Sequence, residues 1–427
     1  MMVPLLAAGS VLLLVALLAA AAFLAQRHAL HPELARKAVH VGLGLYSLTF
    51  PFLFQTPGPV LAICGVAVAL LMGLRFSRGS GRGLGAGLHG VARESYGELL
   101  FGASVALLFV LGHRTPVTYV LPLAILALSD AAAALVGVRY GRATFRIEDG
   151  HKSVEGAVIF FLTAWIIGMS LLLLLSDAPR LNVVVLGGVI AAYGTLVESV
   201  SWRGWDNFFL PVSIHLVLLH HLDSPPWMLL TGAAAGVAWL VGGQRLALAR
   251  HVGMDRHTAV FTAALQATIG LASNAWNVVL PSLAFGCHLL AEARSPSPRP
   301  NPHLKLGLVI VMLGITWYVV SDVTNLFTVT AFNASFGALS VATLAAAGRP
   351  VLALAAVPLF WAVIEARSLF PGAPPTDGLV AQATLMLLLA GAVGAASLAR
   401  LRWRPVACER MGLLALAAGV AMFAFPQ

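Results

Sequence analysis

The sequence predicts an all-α, polytopic integral membrane protein. Of its 427 residues, 59% are hydrophobic and only 10% are charged, and the mean hydropathy is +0.90. Soluble domains carry about 25% charged residues, so this chain cannot build a water-exposed surface of ordinary composition. Apolar runs long enough to cross a bilayer as helices follow one another from Val3 to Phe425. They predict about 14 to 16 transmembrane helices.

The basic residues of the loops predict the orientation of these helices. Loops rich in Arg and Lys alternate with loops poor in them. The exception is two successive loops that hold one basic residue each, Arg180 and Arg203. Because cytoplasmic loops carry the excess of basic residues, we predict an extracytoplasmic amino terminus and cytosolic rich loops, in a bacterial cytoplasmic membrane. The first apolar run, Val3 to Ala25, has no basic segment before it, so we interpret it as a retained span rather than a signal peptide.

The net charge of +9 does not predict a nucleic-acid partner. The arginines stand in short clusters between spans, where helix orientation accounts for them. The three cysteines, Cys64, Cys287 and Cys408, are far apart and form neither a CxxC motif nor a zinc-binding spacing. The sequence therefore excludes a zinc site and a disulfide framework built on these cysteines.

Two polar clusters at the entries of predicted spans have ordinary structural interpretations. The first is a set of four residues that share one helical face, Glu33, Arg36, Lys37 and His40. Such a face is typical of an anchor at the membrane interface. The second contains Arg93, for which a salt bridge and a functional role are both open. The glycines at 85–90 match GxGxxG, but no strand precedes them, so we reject a dinucleotide site.

The third cluster begins with an aspartate inside a predicted span. Asp130 lies eight residues before the predicted boundary at Val138, roughly 12 Å into the bilayer. An aspartate at the membrane centre costs about 2.5–3.5 kcal/mol, so it should have a buried partner or ion. We expect a metal ion or a nucleotide phosphate, because the nearest predicted spans offer few basic residues at that depth. Gly137 and Gly141 share the face of Asp130, so this face should admit a close approach.

The same cluster closes at the start of the next span, with Lys152, Ser153, Glu155 and Gly156. Lys152 is one of three lysines in the chain. A lysine and a serine at a helix amino terminus can hold a phosphate, because free backbone N–H groups and the helix dipole favour an anion. The spacing is not that of a Walker A motif. A capped helix with an ordinary salt bridge is the alternative interpretation.

The fourth cluster holds Glu198 near the end of a span, followed by Asp206 and Asn207. A solvated acid at the interface is one interpretation of Glu198. Together with Asp130 and Glu155, however, these carboxylates provide the oxygen ligands that Mg²⁺ prefers. Lysine and arginine side chains beside them suit phosphates. Phosphoryl transfer needs mainly such positioning and charge neutralisation.

These clusters occur in an order that resembles a known family. The pieces ExxRKxxH, RxxYGE, SDAxAxxxG, KSxEG and TLVE…RGxDN, between about residues 33 and 222, resemble the dolichol kinase and phytol kinase family of CTP-dependent polyprenol kinases. The resemblance implies a membrane-embedded kinase that phosphorylates a long isoprenoid alcohol, with CTP as donor. By it, the nucleotide and metal site includes Asp130, Lys152, Ser153, Glu155 and Gly156.

The residue patterns and the resemblance together predict three sets of site residues. The predicted catalytic residues are Asp130, Lys152 and Glu155. The predicted metal ligands, for Mg²⁺ or another divalent cation, are Asp130, Glu155 and Glu198. The predicted nucleotide-binding residues are Gly137, Gly141, Ser153, Gly156, Arg93, Glu198, Asp206 and Asn207.

Two alternative functions would use the same polar residues. A phosphatidate cytidylyltransferase would use the same polar groups, and a transporter would also bury Asp130, although transporters usually place polar spans in both halves. The expected partners are a lipid alcohol, a nucleotide and membrane lipids, without nucleic acid.

We predict a kinase-like domain at 1–250 and a further transmembrane domain of unassigned function at 251–427. The proline-rich stretch at 294–302 is the clearest linker.

Overall fold

The computed structural model describes most of the chain: residues 6, 9–13, 15–16, 32–76, 96–148, 150–247, 254–271, 275–293, 296, 301–326, 328–366, 379–402 and 408–424. Several predicted features lie outside the described residues. They are Arg93, the glycines at 85–90, most of the first apolar run and most of the proline-rich stretch at 294–302.

Long apolar helices dominate the described residues, which confirms the predicted all-α, polytopic membrane architecture. Seven helical segments there are long and apolar enough to cross a membrane: Pro116–Tyr140, Val154–Leu175, Arg180–Val200, Pro226–Arg245, Pro302–Thr324, Val329–Ala346 and Gln382–Arg400. The sequence predicts more spans than this, because several apolar runs fold as shorter helices, such as Gly97–Gly112 with 16 residues and Pro350–Ala366 with 17. The predicted side for the amino terminus stays a prediction.

The chain divides into two compact units, Met1–Ala235 and Gly236–Gln427. The boundary falls inside one long helix, Pro226–Ala247, and the stretch at 294–302 lies within the second unit. The functional division predicted at residue 250 stays a prediction.

The elements of the first unit are mostly helices, with one hairpin. The helices are α1 (Pro32–Ser47), α2 (Phe50–Leu53), α3 (Pro57–Phe76), α4 (Gly97–Gly112), α5 (Pro116–Ala124), α6 (Asp130–Tyr140), α7 (Val154–Leu175), α8 (Arg180–Val200), α9 (Asp206–His221) and α10 (Pro226–Ala247), which crosses the unit boundary. A π-helical turn, Ile125–Ser129, joins α5 to α6. The strands are β1 (Thr144–Ile147) and β2 (Gly150–Ser153).

The second unit is a helical bundle around one buried helix. Its helices are α11 (Arg256–Leu271), α12 (Val279–Glu292), α13 (Pro302–Thr324), α14 (Val329–Ala346), α15 (Pro350–Ala366), α16 (Leu379–Arg402) and α17 (Cys408–Ala424), with a 3₁₀ turn at Ala275–Val278. Small residues let neighbours approach α14 closely, as is usual between membrane helices. Gly419 of α17 lies against Ser335 of α14, whose hydroxyl accepts a hydrogen bond from the Trp317 indole at 2.8 Å.

One short hairpin, β1–β2, lies between the helices α6 and α7 of this all-α architecture. Its antiparallel register pairs Thr144 with Ser153 and Phe145 with Lys152. The segment 144–147 is Thr-Phe-Arg-Ile, rich in β-branched and aromatic residues, and a glycine follows at Gly150, so a local signal for the hairpin exists. The hairpin sets the position of Lys152 at the entry to α7.

The helix before Asp130 is distorted by a proline. Pro122 in α5 has no N–H, so the carbonyl of Thr118 lacks its usual helical donor. The ring of His215, buried in α9, replaces it, with Nδ1 lying 2.7 Å from that carbonyl oxygen. The π-helical turn Ile125–Ser129 then follows directly. Such turns are frequent at functional sites, and this one ends where Asp130 begins.

Candidate active site

Asp130 forms a buried ion pair with the first helix. The Nζ atom of Lys37 in α1 lies 2.5 Å from Oδ2 of Asp130, and His40 Nε2 lies 3.8 Å from the same oxygen. Lys37 is 8% exposed and Asp130 is 5% exposed. We expected few basic residues at this depth, and the contact with Lys37 shows that this expectation was wrong. A helical face interpreted as an interfacial anchor supplies the partner of the intramembrane aspartate.

A glycine lets α1 come close enough for this pairing. Lys37, His40 and Gly44 share one face of α1 through the spacing i, i+3 and i+7. Gly44 packs against the π-helical turn, where a Cβ atom added at position 44 would lie 2.4 Å from Cβ of Ala127. No real Cβ contact is that short, so the absence of a side chain at Gly44 sets the distance between α1 and Asp130.

We expect Gly44→Ala to lower the free energy of unfolding by about 1–3 kcal/mol, because it overpacks the contact with Ala127. Ala127→Gly removes the opposing methyl group and should restore most of the loss in the double variant. The control is Gly65→Ala in α3, where an added Cβ meets nothing within 4 Å. Thermal unfolding in detergent measures all four proteins. Equal stability of Gly44→Ala and Gly65→Ala would show that the close approach is unimportant.

A second ion pair lies at the entry to α7. Lys152 Nζ donates to Oε1 of Glu198 at 2.7 Å, and it also donates to the backbone carbonyl of Glu198. Burial alone would lower the pKa of Lys152, but the charge of Glu198, aided by Asp206 and Asp130, outweighs burial and raises that pKa. Asp130 and Lys152 lie on segments that pack together, since Gly137 of α6 lies against Ser153. The two ion pairs belong to one group of Lys37, His40, Asp130, Lys152, Glu198 and Asp206, hereafter the charged cluster.

The predicted glycine face of α6 packs against the start of α7. A Cβ atom added at Gly137 would lie 2.8 Å from Oγ of Ser153, and one at Gly141 would lie 2.7 Å from Cβ of Ser153. Gly156 lies against Ala133, whose carbonyl oxygen would be 3.0 Å from an added Cβ. The glycine face of α6 therefore admits a close approach, as predicted, and the start of α7 is what approaches it. Whether a nucleotide contacts these glycines stays a prediction.

Ser153 is the N-cap of α7. Its hydroxyl oxygen accepts the N–H of Gly156 at 3.1 Å, which satisfies one of the free donors of the first turn. The structure thus contains the capped helix and the salt bridge that the alternative interpretation expected. The N–H of Val154 also has a partner, the carbonyl oxygen of Ala143 at 2.8 Å, so whether this turn binds a phosphate stays a prediction.

Glu155 secures the chain that follows α6. Its Oε1 accepts the backbone N–H groups of Arg142 at 3.0 Å and Ala143 at 3.2 Å. Its Oε2 is buried and has no hydrogen-bond partner among the described residues. This carboxylate therefore combines a structural contact with one unused oxygen.

The three predicted metal ligands do not form a preassembled cage. Across the described ranges, no group of three or more His, Cys, Asp or Glu side chains is arranged to hold a metal ion. Asp130 and Glu198 are each paired with a lysine. Mg²⁺ often binds through only one or two carboxylates and completes its shell with substrate phosphates and water. Glu155, with its unused Oε2, fits that kind of site.

The last predicted segment holds Asp206 and Asn207, at the start of α9. Oδ1 of Asp206 accepts the N–H of Asn207 at 3.0 Å at the start of α9, and Asn207 is buried. The turn before it contains Arg203 and Gly204 with φ values of 50° and 86°. The carbonyl of Arg203 accepts the N–H of Tyr96 at 2.9 Å, which joins this turn to the start of α4.

Lys37 and His40 were absent from the predicted site residues. Lysine is rare in this chain, and both residues lie on the helical face that the sequence analysis described. These two signals could have assigned them to the site, but the spacing alone does not reveal which span they face.

One curated protein shows clear sequence similarity. The phytol kinase of Synechocystis sp. is 32% identical over 189 residues, which cover 43% of this chain and 78% of that protein. No family model and no solved structure matches. Identity at this level over more than two thirds of the relative places the chain in the phytol kinase family.

Proposed function

We propose that this protein transfers the γ-phosphoryl group of CTP to a long isoprenoid alcohol at the cytoplasmic face of the membrane. One observation carries the proposal: the unit holds a buried ion pair inside a span, Lys37–Asp130, and a second ion pair at the entry to the next span, Lys152–Glu198. A lipid alcohol arrives from the bilayer and a nucleotide from water. A site that spans both environments suits a reaction between them.

The donor end of the site is the entry to α7. Lys152 and the positive end of the α7 helix dipole can neutralise phosphate charge. Glu155 is the residue that would hold Mg²⁺ arriving with the triphosphate, and the ion would neutralise charge on the phosphates. Glu198 holds Lys152 in place through two hydrogen bonds. The relative's activity as a phytol kinase supports an isoprenoid alcohol as acceptor.

The reaction is balanced without a further reactant. The alcohol oxygen forms a bond to the γ-phosphorus, and the bond from that phosphorus to the bridging oxygen of CDP breaks. The hydroxyl proton is released, and CDP leaves. Because the transition state of phosphoryl transfer is loose, positioning and charge neutralisation carry most of the catalysis.

The test is product analysis with the purified full-length protein. It is supplied with Mg²⁺, one nucleoside triphosphate at a time and a panel of phytol, farnesol, a long polyprenol and phosphatidate. We expect a phosphorylated alcohol, formed fastest with CTP. A CDP-lipid would instead identify a cytidylyltransferase. No product with any combination would refute the kinase proposal and favour transport.

A further inference from the structure

Lys37 is buried although its place in the chain would let it reach water. It lies five residues after the first residue of α1, and a lysine so close to the end of a span usually extends its ammonium group to the membrane interface. Here Lys37 is 8% exposed, and its Nζ atom lies 2.5 Å from Oδ2 of Asp130. The burial of this lysine is therefore set by what lies inside the protein.

Stability alone does not explain the buried pair of Lys37 and Asp130. Taking two charges out of water is costly, and replacing a buried ion pair by well-packed apolar side chains is often neutral or stabilising. Charged side chains inside membrane spans are rare and usually mark a functional site. The pair therefore suits a role in the reaction, beyond joining α1 to α6.

Of the two lysines in the charged cluster, Lys37 lies deeper along the span. Lys152 directly precedes Ser153, and Ser153 packs against Gly137 of α6. Asp130, the partner of Lys37, lies seven residues before Gly137, which corresponds to about 10 Å along the helix. The cluster thus has one cation at the entry to a span and a second cation further inside.

The reaction orders the nucleotide along the same line. The γ-phosphorus must meet the hydroxyl group of an alcohol whose chain lies in lipid, whereas the cytidine base and ribose are hydrated. The γ-phosphate is therefore the innermost part of the bound nucleotide. A phosphate at that depth needs a cation beside it, because a buried charge is costly unless it is paired. Lys37 can provide this cation, since its ammonium group has three N–H donors and can bond Asp130 and a phosphate oxygen together.

We propose that Lys37 binds the γ-phosphate of the donor nucleotide, while Lys152 binds the phosphates nearer the nucleoside. This inference deepens the kinase function proposed above and rests on it. In the bound state, Nζ of Lys37 keeps its hydrogen bond to Asp130 and donates a second one to a γ-phosphate oxygen. The positive charge stays beside the phosphoryl group as it passes to the alcohol, and it stabilises the negative charge of the transition state.

The test compares the affinity of the full-length protein for CTP and for CDP, which differ only in the γ-phosphate. Binding of each radiolabelled nucleotide is measured in nanodiscs without alcohol and with EDTA, so neither turnover nor a divalent cation affects the result. We expect the wild type to bind CTP about tenfold more tightly than CDP, as one charge-assisted hydrogen bond allows. Lys37→Met should remove this preference, and Lys37→Arg should keep most of it. Partial unfolding lowers the binding of both nucleotides alike, so it leaves the ratio unchanged.

Asp130→Asn distinguishes a phosphate site from a structural ion pair. It removes the negative charge beside Lys37, so the preference for CTP should rise several-fold, opposite in sign to the effect of Lys37→Met. A structural pair would instead make both variants less stable without changing the ratio of the two affinities. The matched control, Lys305→Met, removes a lysine of α13 in the second unit and should keep the wild-type ratio.

Three results would overturn this assignment of Lys37. They are a wild type that binds CTP and CDP equally, a Lys37→Met protein that keeps the wild-type preference, and an Asp130→Asn protein whose preference for CTP does not rise. The kinase proposal fails separately, when the wild type forms no phosphorylated alcohol in the product assay. A wild type that phosphorylates phytol but binds CTP and CDP equally would overturn the phosphate site alone.

Discussion

Lys152→Ala is expected to lower kcat/KM for CTP by about 100-fold or more, which corresponds to about 2.7 kcal/mol of transition-state stabilisation. Two effects add. The variant loses the cation at the entry to α7, and it leaves the carboxylate of Glu198 buried without its partner. An unpaired negative charge at that position repels a triphosphate, so the loss should exceed that of one neutral hydrogen bond.

The control for this prediction is Lys305→Ala in α13, another of the three lysines, which lies in the second unit. Its kinetic constants should equal those of the wild type. A second variant, Lys152→Met with Glu198→Gln, removes the pair and should recover stability without recovering turnover. Wild-type kcat/KM for CTP in Lys152→Ala would show that the phosphates bind elsewhere.

The raised pKa of Lys152 predicts the pH range over which this residue stays protonated. A folded-state pKa above the unfolded value means that protonated Lys152 stabilises the folded protein. That contribution is complete below the ordinary lysine pKa and is lost only as the pH rises through the raised value. Between about pH 6 and pH 9, therefore, Lys152 should cause no change in KM for CTP.

The membrane architecture could be predicted from the sequence because lipid imposes a strong local rule. Every backbone group in a span must be bonded internally, so long apolar runs form helices whatever surrounds them. The segments Val154–Leu175 and Arg180–Val200 follow this rule. The hairpin at Thr144–Ile147 and Gly150–Ser153 was not predicted, because a short polar loop between spans gives a much weaker signal.

The pairing within the site could not be predicted, because it depends on which helices are neighbours. The burial of Asp130 was expected from its position in a span, but its partner Lys37 is 93 residues away in sequence. Glu198 and Lys152 are separated by 46 residues. Helical spacing identified the face that carries Lys37 and the small residues beside Asp130. It did not identify which helix packs against each face. Gly44, which lets α1 approach Ala127, has no polar group that would mark it in the sequence.

Removing either member of the Lys37–Asp130 pair is expected to lower the free energy of unfolding by about 3–5 kcal/mol, while removing both should restore most of it. In the single variants Lys37→Met and Asp130→Asn, one charge stays buried in a span without its partner. In the double variant no buried charge remains. Thermal unfolding in detergent measures the cycle, and Asp177→Asn, in the loop between α7 and α8, is a control expected to change stability by less than about 0.5 kcal/mol.

The cycle separates the structural role of the pair from its chemical role. Since we expect the double variant to recover most of its stability, its phosphorylation of phytol can be measured without the confounding effect of instability. We expect turnover to stay at least about 100-fold below the wild type, since Asn at position 130 lacks the carboxylate that the predicted catalytic role of Asp130 requires. Near-normal turnover in the double variant would mean that the pair only joins α1 to α6. A loss of stability in the double variant equal to the sum of the two single losses would mean that Lys37 and Asp130 do not interact in the membrane.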